Sequence, residues 1–116
     1  MNKTMSGNDD QERSEVVELV TRAEASVEAL ETAAPNGSWA MTAFSRYRVC
    51  ELLGVTPYEP YAGELADDPA GLLDEAAALV DQFDVSLEGL SWRLALADAL
   101  RSAAKDIRMV AGAREV

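Results

Sequence analysis

Large apolar residues recur at helical spacing in four separate stretches of this chain. In the first stretch they follow one another at steps of three and four residues: Val16, Val20, Ala23, Val27, Leu30 and Ala34. Such steps place apolar side chains along one narrow seam of a helix, which a protein buries against a neighbouring element. The pattern therefore predicts a helix from Glu12 to about Ala34, which the Pro-Asn-Gly sequence at 35–37 ends.

The second predicted helix runs from Ser38, as its N-cap, to about Leu53, with Gly54 as a left-handed C-cap. Its apolar residues share one face, which we expect to be buried: Ala40, Phe44, Tyr47, Cys50 and Leu53. Cys50 is the only cysteine, and the chain has no His to activate it. We therefore expect the thiol of Cys50 to pack as a small side chain rather than to act as a nucleophile.

Two more helices are predicted after a Pro-containing loop at 55–67. Asp68 is an N-cap acid followed by a Pro at the first helical position, and the third helix ends near Phe83. Ser86 caps the fourth helix, whose apolar stripe continues to about Gly112. With a rise of 1.5 Å per residue, the fourth helix is on the order of 40 Å long, which exceeds a compact small domain.

These four amphipathic helices predict an all-α fold, an antiparallel bundle of about four helices. Residues 1–11 are polar without periodic apolar positions and are expected to form a disordered tail, followed by one domain over 12–116. Two arrangements use the seam of the first helix. Either two copies form a homodimer through the long first and fourth helices, or the first helix packs against the fourth within one chain.

The charge of the chain narrows its function. Ten Lys and Arg face twenty-one Asp and Glu, for a net charge of -11. This charge disfavours a large contact with nucleic acid and favours a basic protein partner. No apolar run approaches the ~20 residues that span a bilayer, and the first residues lack the apolar segment of a secretory signal. We expect a cytoplasmic protein without a cofactor, and an enzymatic activity is not indicated.

Two groups of residues are candidates for the interaction with a partner. Acidic residues lie on the predicted first and third helices, and two tyrosines lie in the loop that contains Pro57, Pro60 and Gly63. The acidic candidates are Glu24, Glu28, Glu31, Asp74 and Asp81, and the tyrosines are Tyr58 and Tyr61. The chain is thus predicted to be a small acidic regulatory protein, of the subunit, inhibitor or immunity type. The alternative for the tyrosines is that both rings cover the end of the bundle together with Trp39 and Trp92.

A basic stripe on the fourth helix has two interpretations. Arg93, Arg101, Lys105 and Arg108 follow one another at steps of eight, four and three residues, which places them on one side of that helix. The stripe can lie alongside the acidic flank of the first or third helix. It can also form a site for a small anion or RNA.

Two other functions remain open. All-α nucleotide pyrophosphohydrolases hold Mg²⁺ with paired acids three residues apart, and Glu15/Glu18, Glu28/Glu31 and Asp81/Asp84 resemble such pairs. The resemblance implies a hydrolase that depends on carboxylates and Mg²⁺. The segment 49–58 resembles a helix-turn-helix, with an apolar helix end, a Gly in the turn and a Val after it. That resemblance implies a DNA-binding protein as a third possibility.

Overall fold

The described part of the chain contains four α-helices and one short 3-10 helix. A computed structural model describes residues 3–34, 37–57 and 60–115, with side chains for 11–34, 37–57 and 60–112. The elements are α1 (Lys3–Ala33), a 3-10 helix (Ser38–Thr42), α2 (Ala43–Leu53), α3 (Pro69–Asp81) and α4 (Leu87–Glu115). These described ranges contain no strand, so the prediction of an all-α protein is confirmed.

Three of the predicted helix ends are built as the sequence indicates. Asp68 accepts a hydrogen bond from the backbone N–H of Gly71 at 3.1 Å, with Pro69 as the first residue of α3. Ser86 Oγ accepts from the N–H of Gly89 at 3.3 Å at the start of α4. Gly54 takes the left-handed conformation, with φ 77°, at the end of α2. These caps depend only on neighbouring residues, which is why the sequence predicts them.

The predicted cap at Ser38 is wrong. Gly37 precedes the 3-10 helix with φ 80°, and neither the 3-10 helix nor α2 has a side-chain cap. The chain therefore enters α2 through five residues of tighter helix rather than through an N-cap.

The start of α1 also differs from the prediction. The helix begins at Lys3, whereas the sequence predicts its start near Glu12. The division into a tail and a domain stays a prediction.

The core is built mainly from small side chains. The seam of α1 is buried from Val16 to Val27, whereas Leu30 is 37 % exposed, and α3, not α4, is the principal neighbour of α1. The expectation that the first helix packs against the fourth within one chain is therefore wrong: α4 packs on α3 and α2. The buried residues of α3 and α4 include Ala70, Leu73, Ala76, Ala77, Val80, Leu96, Leu100, Ala103, Ala104 and Ile107. Alanines at these positions let neighbouring helices approach closely.

The buried face of α2 differs from the predicted one. Phe44 is 87 % exposed, and Tyr47 is also exposed. The face that points inward carries Ser45, Arg46, Val49, Cys50 and Leu53. Hydrophobicity alone selects Phe44 for the core, but the polar side chains next to it find partners on α1 and α4. Their contacts determine how α2 is rotated.

The fold is elongated, with dimensions of 53 × 28 × 19 Å. This length follows from α1 and α4, which have 31 and 29 residues. The structure has no described helix that is long and apolar enough to span a membrane.

Leu100 and Leu94 offer a direct test of this packing. Leu100 is fully buried, whereas Leu94, on the same helix, is 58 % exposed. Leu100→Ala should lower the free energy of unfolding by about 2–5 kcal/mol, because it removes buried contacts and leaves a cavity. Leu94→Ala should change it by about 0.5 kcal/mol or less. Urea denaturation measures both, and equal effects of the two variants would contradict the helix packing.

Candidate functional site

A buried arginine joins α2 to α1. The guanidinium of Arg46 is 1 % exposed and lies between two carboxylates of α1, with Nε 3.2 Å from Glu24 Oε1 and Nη2 3.3 Å from Glu31 Oε1. The Glu31 contact is a hydrogen bond, while the Glu24 contact is an ion pair without hydrogen-bond geometry at Nε. The ring of Tyr47 lies 5.7 Å from the guanidinium carbon. Two of the predicted acidic candidates therefore bind within the chain.

Glu24 is the most perturbed carboxyl of this cluster. Burial raises its pKa, the nearby carboxylates of Glu31 and Glu28 raise it further, and Arg46 opposes both effects. Oε2 of Glu24 is buried and has no hydrogen-bond partner in the described structure. A cavity of about 10 Å³, lined by Glu24 and Cys50 among others, lies beside it. That volume is close to the space one water molecule occupies.

Cys50 lies on the same buried face as Arg46. Burial raises the pKa of its thiol to about 11, and the charge of Glu24 adds to the shift. The thiol is therefore protonated at neutral pH, and its sulfur is a poor nucleophile. Its buried position agrees with the expectation from sequence that it packs as a small side chain.

The basic stripe of α4 lies along the acidic side of α3. Arg101 forms an ion pair with Asp81, and Arg108 Nη2 lies 2.6 Å from Asp74 Oδ2. The hydrogen bond from Arg101 is the main cause that lowers the pKa of Asp81. Arg93 donates to the carbonyl oxygen of Phe83 at 2.9 Å, and Lys105 is exposed. Two ion pairs therefore support the first interpretation of the stripe, in which it is the electrostatic complement of a neighbouring helix.

The tyrosine loop lies against α1. Tyr58 is outside the described residues, but Tyr61 is half-buried and its hydroxyl donates to Glu18 Oε1 at 3.1 Å. Two further bonds hold the same segment to α1. Arg22 Nε donates to the carbonyl oxygen of Glu64, and the N–H of Ala66 donates to Ser26 Oγ, each at 2.8 Å.

The two tryptophans lie at different ends of the bundle. Trp92 stacks on Phe83, with 6.2 Å between ring centroids, and its Nε1 donates to the carbonyl oxygen of Leu52 at 2.8 Å. Trp39 is buried and lines a cavity of about 340 Å³ together with Leu30 and Ile107. The predicted single cap of aromatic rings is therefore not formed by these two residues.

A groove between α1 and α3 brings together acidic residues from both helices. Glu15 and Glu18 lie one turn apart on α1, and Glu75 of α3 lies across from them, around a space of about 370 Å³. Leu19 provides an apolar part of the lining. Glu15 and Glu75 have no ion-pair partner among the described residues. We call Glu15, Glu18, Leu19 and Glu75 the acidic groove, and it is the candidate functional site.

Sequence reasoning did not assign Glu15, Glu18 or Glu75 to the interaction surface. The spacing of Glu15 and Glu18 was the available signal, because residues three apart share a helix face. Nothing local in the sequence indicates that Glu75 lies opposite them. Glu28, the remaining acidic candidate of α1, is half-buried and has no ion pair in the described structure.

The structure does not support the two other motifs, the paired acids and the helix-turn-helix. Within the described side chains, no group of three or more Asp, Glu or Cys residues is arranged to hold a metal ion. Glu31 and Asp81, each a member of an acidic pair, instead contact arginines. After Gly54 no helix begins before Pro69 in the residues that the structure describes, so the helix that a helix-turn-helix requires after its turn is missing there.

The chain was compared with protein families, curated proteins and solved structures, and it matches none of them.

Replacing Arg46 tests the buried ion pairs. Arg46→Met should lower the free energy of unfolding by about 3–5 kcal/mol, because it leaves Glu24 buried beside no compensating charge. Arg48 provides the matched control: it lies on the same helix and forms an exposed ion pair with Glu51 at 2.8 Å. Arg48→Met should cost about 1 kcal/mol or less. Urea denaturation at neutral pH compares them, and a similar cost for both would show that burial of the pair has no special weight.

The raised pKa of Glu24 predicts a pH dependence of stability. The folded chain holds the proton of Glu24 to a higher pH than the unfolded chain, whose value is near 4.5. This contribution to stability is complete below pH 4.5 and is lost as the pH rises through the folded-state pKa. Glu24→Gln removes the titration, so its stability relative to the unchanged chain should increase as the pH is raised from 4.5 to neutral. Parallel stability–pH curves, measured by urea denaturation, would contradict the assignment.

Proposed function

We propose that this chain is a small helical protein-interaction protein, a regulatory protein of the subunit, inhibitor or immunity type, that binds a basic partner surface through the acidic groove. The proposal includes an antiparallel arrangement of neighbouring helices and action in the cytoplasm. The hydrogen bond from Arg13 of α1 to the Leu53 carbonyl oxygen at the end of α2 supports the antiparallel arrangement. So does the bond from Trp92, near the start of α4, to the carbonyl oxygen of Leu52.

The observation that carries the proposal is the use of the arginines. Every arginine whose side chain is described binds an acceptor in the same chain: Arg13, Arg22, Arg46, Arg48, Arg93, Arg101 and Arg108. These side chains therefore already have acceptors within the chain, which disfavours their use as a phosphate-binding surface. The negative charge that remains is carried by carboxylates on the surface, and the acidic groove concentrates three of them.

The composition of the groove suits a Lys or Arg side chain. The aliphatic part of such a side chain can lie against Leu19, while its charged end reaches Glu15, Glu18 or Glu75. Complementary charges of this kind raise the rate of association and select among partners. The alternative of a Mg²⁺-dependent nucleotide hydrolase gains no support from the described contacts, because two of its predicted acids, Glu31 and Asp81, already pair with arginines.

Removing the charges of the groove tests the proposal. The probe is a short synthetic peptide rich in Lys and Leu, whose binding to the full chain is followed by fluorescence anisotropy. The groove variant combines Glu15→Gln, Glu18→Gln and Glu75→Gln. Exposed pairs are worth about 0.5 kcal/mol each, so the loss of three should weaken binding about tenfold at low salt. Binding to the unchanged chain should weaken steeply as salt is raised.

A second triple variant controls for net charge. Asp67→Asn, Glu88→Gln and Asp98→Asn remove three charges from exposed positions elsewhere on the chain. This variant should weaken the peptide by about twofold or less, because those carboxylates act only over a distance at which salt screens them. If both variants lose the same affinity, the peptide binds the overall charge and the groove is not the site. Affinity that does not change with salt would also contradict the proposal.

A further inference from the structure

An apolar face points into solvent along the 3-10 helix and α2. Its large residues are Met41 and Phe44, which are 74 % and 87 % exposed, and Tyr47 at its edge. They follow one another at steps of three residues, and we call these three residues the α2 face. Exposing a phenylalanine ring to this extent is unfavourable, because the ring has a large apolar surface and covering that surface removes it from water.

The α2 face cannot turn inward without loss of buried contacts. On the opposite side of the helix, Ser45 Oγ donates to Asp106 Oδ2 of α4 at 2.7 Å. One residue further, Arg46 lies between Glu24 and Glu31 of α1. A rotation that buried Phe44 would separate these ionic and hydrogen-bonding groups. The exposure of Phe44 is therefore a consequence of the fold.

The charge around the α2 face is nearly balanced. The ionic residues exposed on this helix, Arg48 and Glu51, pair with each other at 2.8 Å. Arg46, the other ionic residue of 37–57, is buried between two carboxylates on the opposite side of the helix, whereas the whole chain carries a net charge of -11. Two copies of so acidic a chain repel each other over most of their surface. Here they can approach without bringing uncompensated carboxylates together, and a strongly basic partner gains nothing from this face.

We propose that the α2 face binds a second copy of this chain and forms a symmetric homodimer. In a two-fold dimer the same patch meets itself, so residues equally far from the axis contact each other. With the axis near Phe44, the two phenylalanines pack together and Met41 of each copy meets the partner's Tyr47. Aromatic pairs and sulfur–aromatic contacts are both favourable in such an interface. This differs from a dimer through α1 and α4, because the seam of α1 is already buried within the chain from Val16 to Val27.

The size of the face sets the expected strength. One helix from each copy falls among small interfaces that bury less than about 1,200 Å² in total, which belong to weak and transient complexes. We therefore expect dissociation constants on the order of micromolar. Electrostatics acts in the opposite sense to that of the acidic groove. Because both copies are acidic, added salt screens their repulsion and the dimer becomes more stable or stays unchanged.

Sedimentation equilibrium of the full chain over a range of concentrations measures this association. Phe44→Asp places two charges against each other at the axis and should yield a monomer throughout the range. Leu87→Asp is the matched control, because Leu87 is 88 % exposed but lies at the start of α4. This variant should dimerise like the unchanged chain. Circular dichroism checks that both variants keep their helices, which we expect since neither side chain is buried.

A second measurement locates the axis. Phe44→Cys should form a disulfide link between the two copies when the chain is oxidised with diamide, whereas Leu87→Cys should form no such link, because only residues near a two-fold axis meet their own counterparts. Three results would overturn the proposal: a monomer at every concentration of the unchanged chain, a dimer that persists in Phe44→Asp, or a dimer that dissociates as salt is raised. These results do not depend on whether the acidic groove binds a basic peptide.

Discussion

The buried guanidinium of Arg46 determines how α2 is rotated against α1. It needs two carboxylates of α1 beside it, since a buried charge without a partner is costly. Once Glu24 and Glu31 occupy that position, α2 has only one rotation in which the contact is made. That rotation buries Cys50 and directs Phe44 into solvent. Phe44 is thus exposed because Arg46, on the same helix, is buried and must keep its carboxylate partners.

Arginines form contacts within the chain throughout the described residues. Arginines hold helix ends, loops and helix pairs together: Arg22 binds the loop at Glu64, and Arg108 joins α4 to Asp74 of α3. Each such contact gives an arginine an acceptor within the chain. Such pairs leave the sum of charges unchanged, so the surface of the chain stays acidic. This acidity is uneven, since the acidic groove lies between α1 and α3 while α2 is almost neutral at its surface.

Agreement between sequence and structure follows the range of each interaction. The caps at Gly54, Asp68 and Ser86 involve residues at most a few positions apart, and all three are confirmed. Ser38 failed as a cap because Gly37 adopts a left-handed conformation and a 3-10 helix follows it. The face of α2 failed for a different reason. Hydrophobicity ranks Phe44 above Arg46 for burial, but the carboxylates that reverse this order are 15 and 22 residues away in the sequence.

By itself, the sequence determined that the chain is helical and where most helices end, because helical periodicity and capping are properties of neighbouring residues. It also determined the large negative charge and the absence of His. Only the tertiary structure decided which carboxylates are neutralised and which face a partner. Nothing in the sequence distinguishes Asp74 and Asp81 from Glu75 as residues that could bind a partner. In the structure α4 brings Arg108 and Arg101 against the two aspartates. The pairing of charges depends on distance in space, and that distance is set when the helices pack.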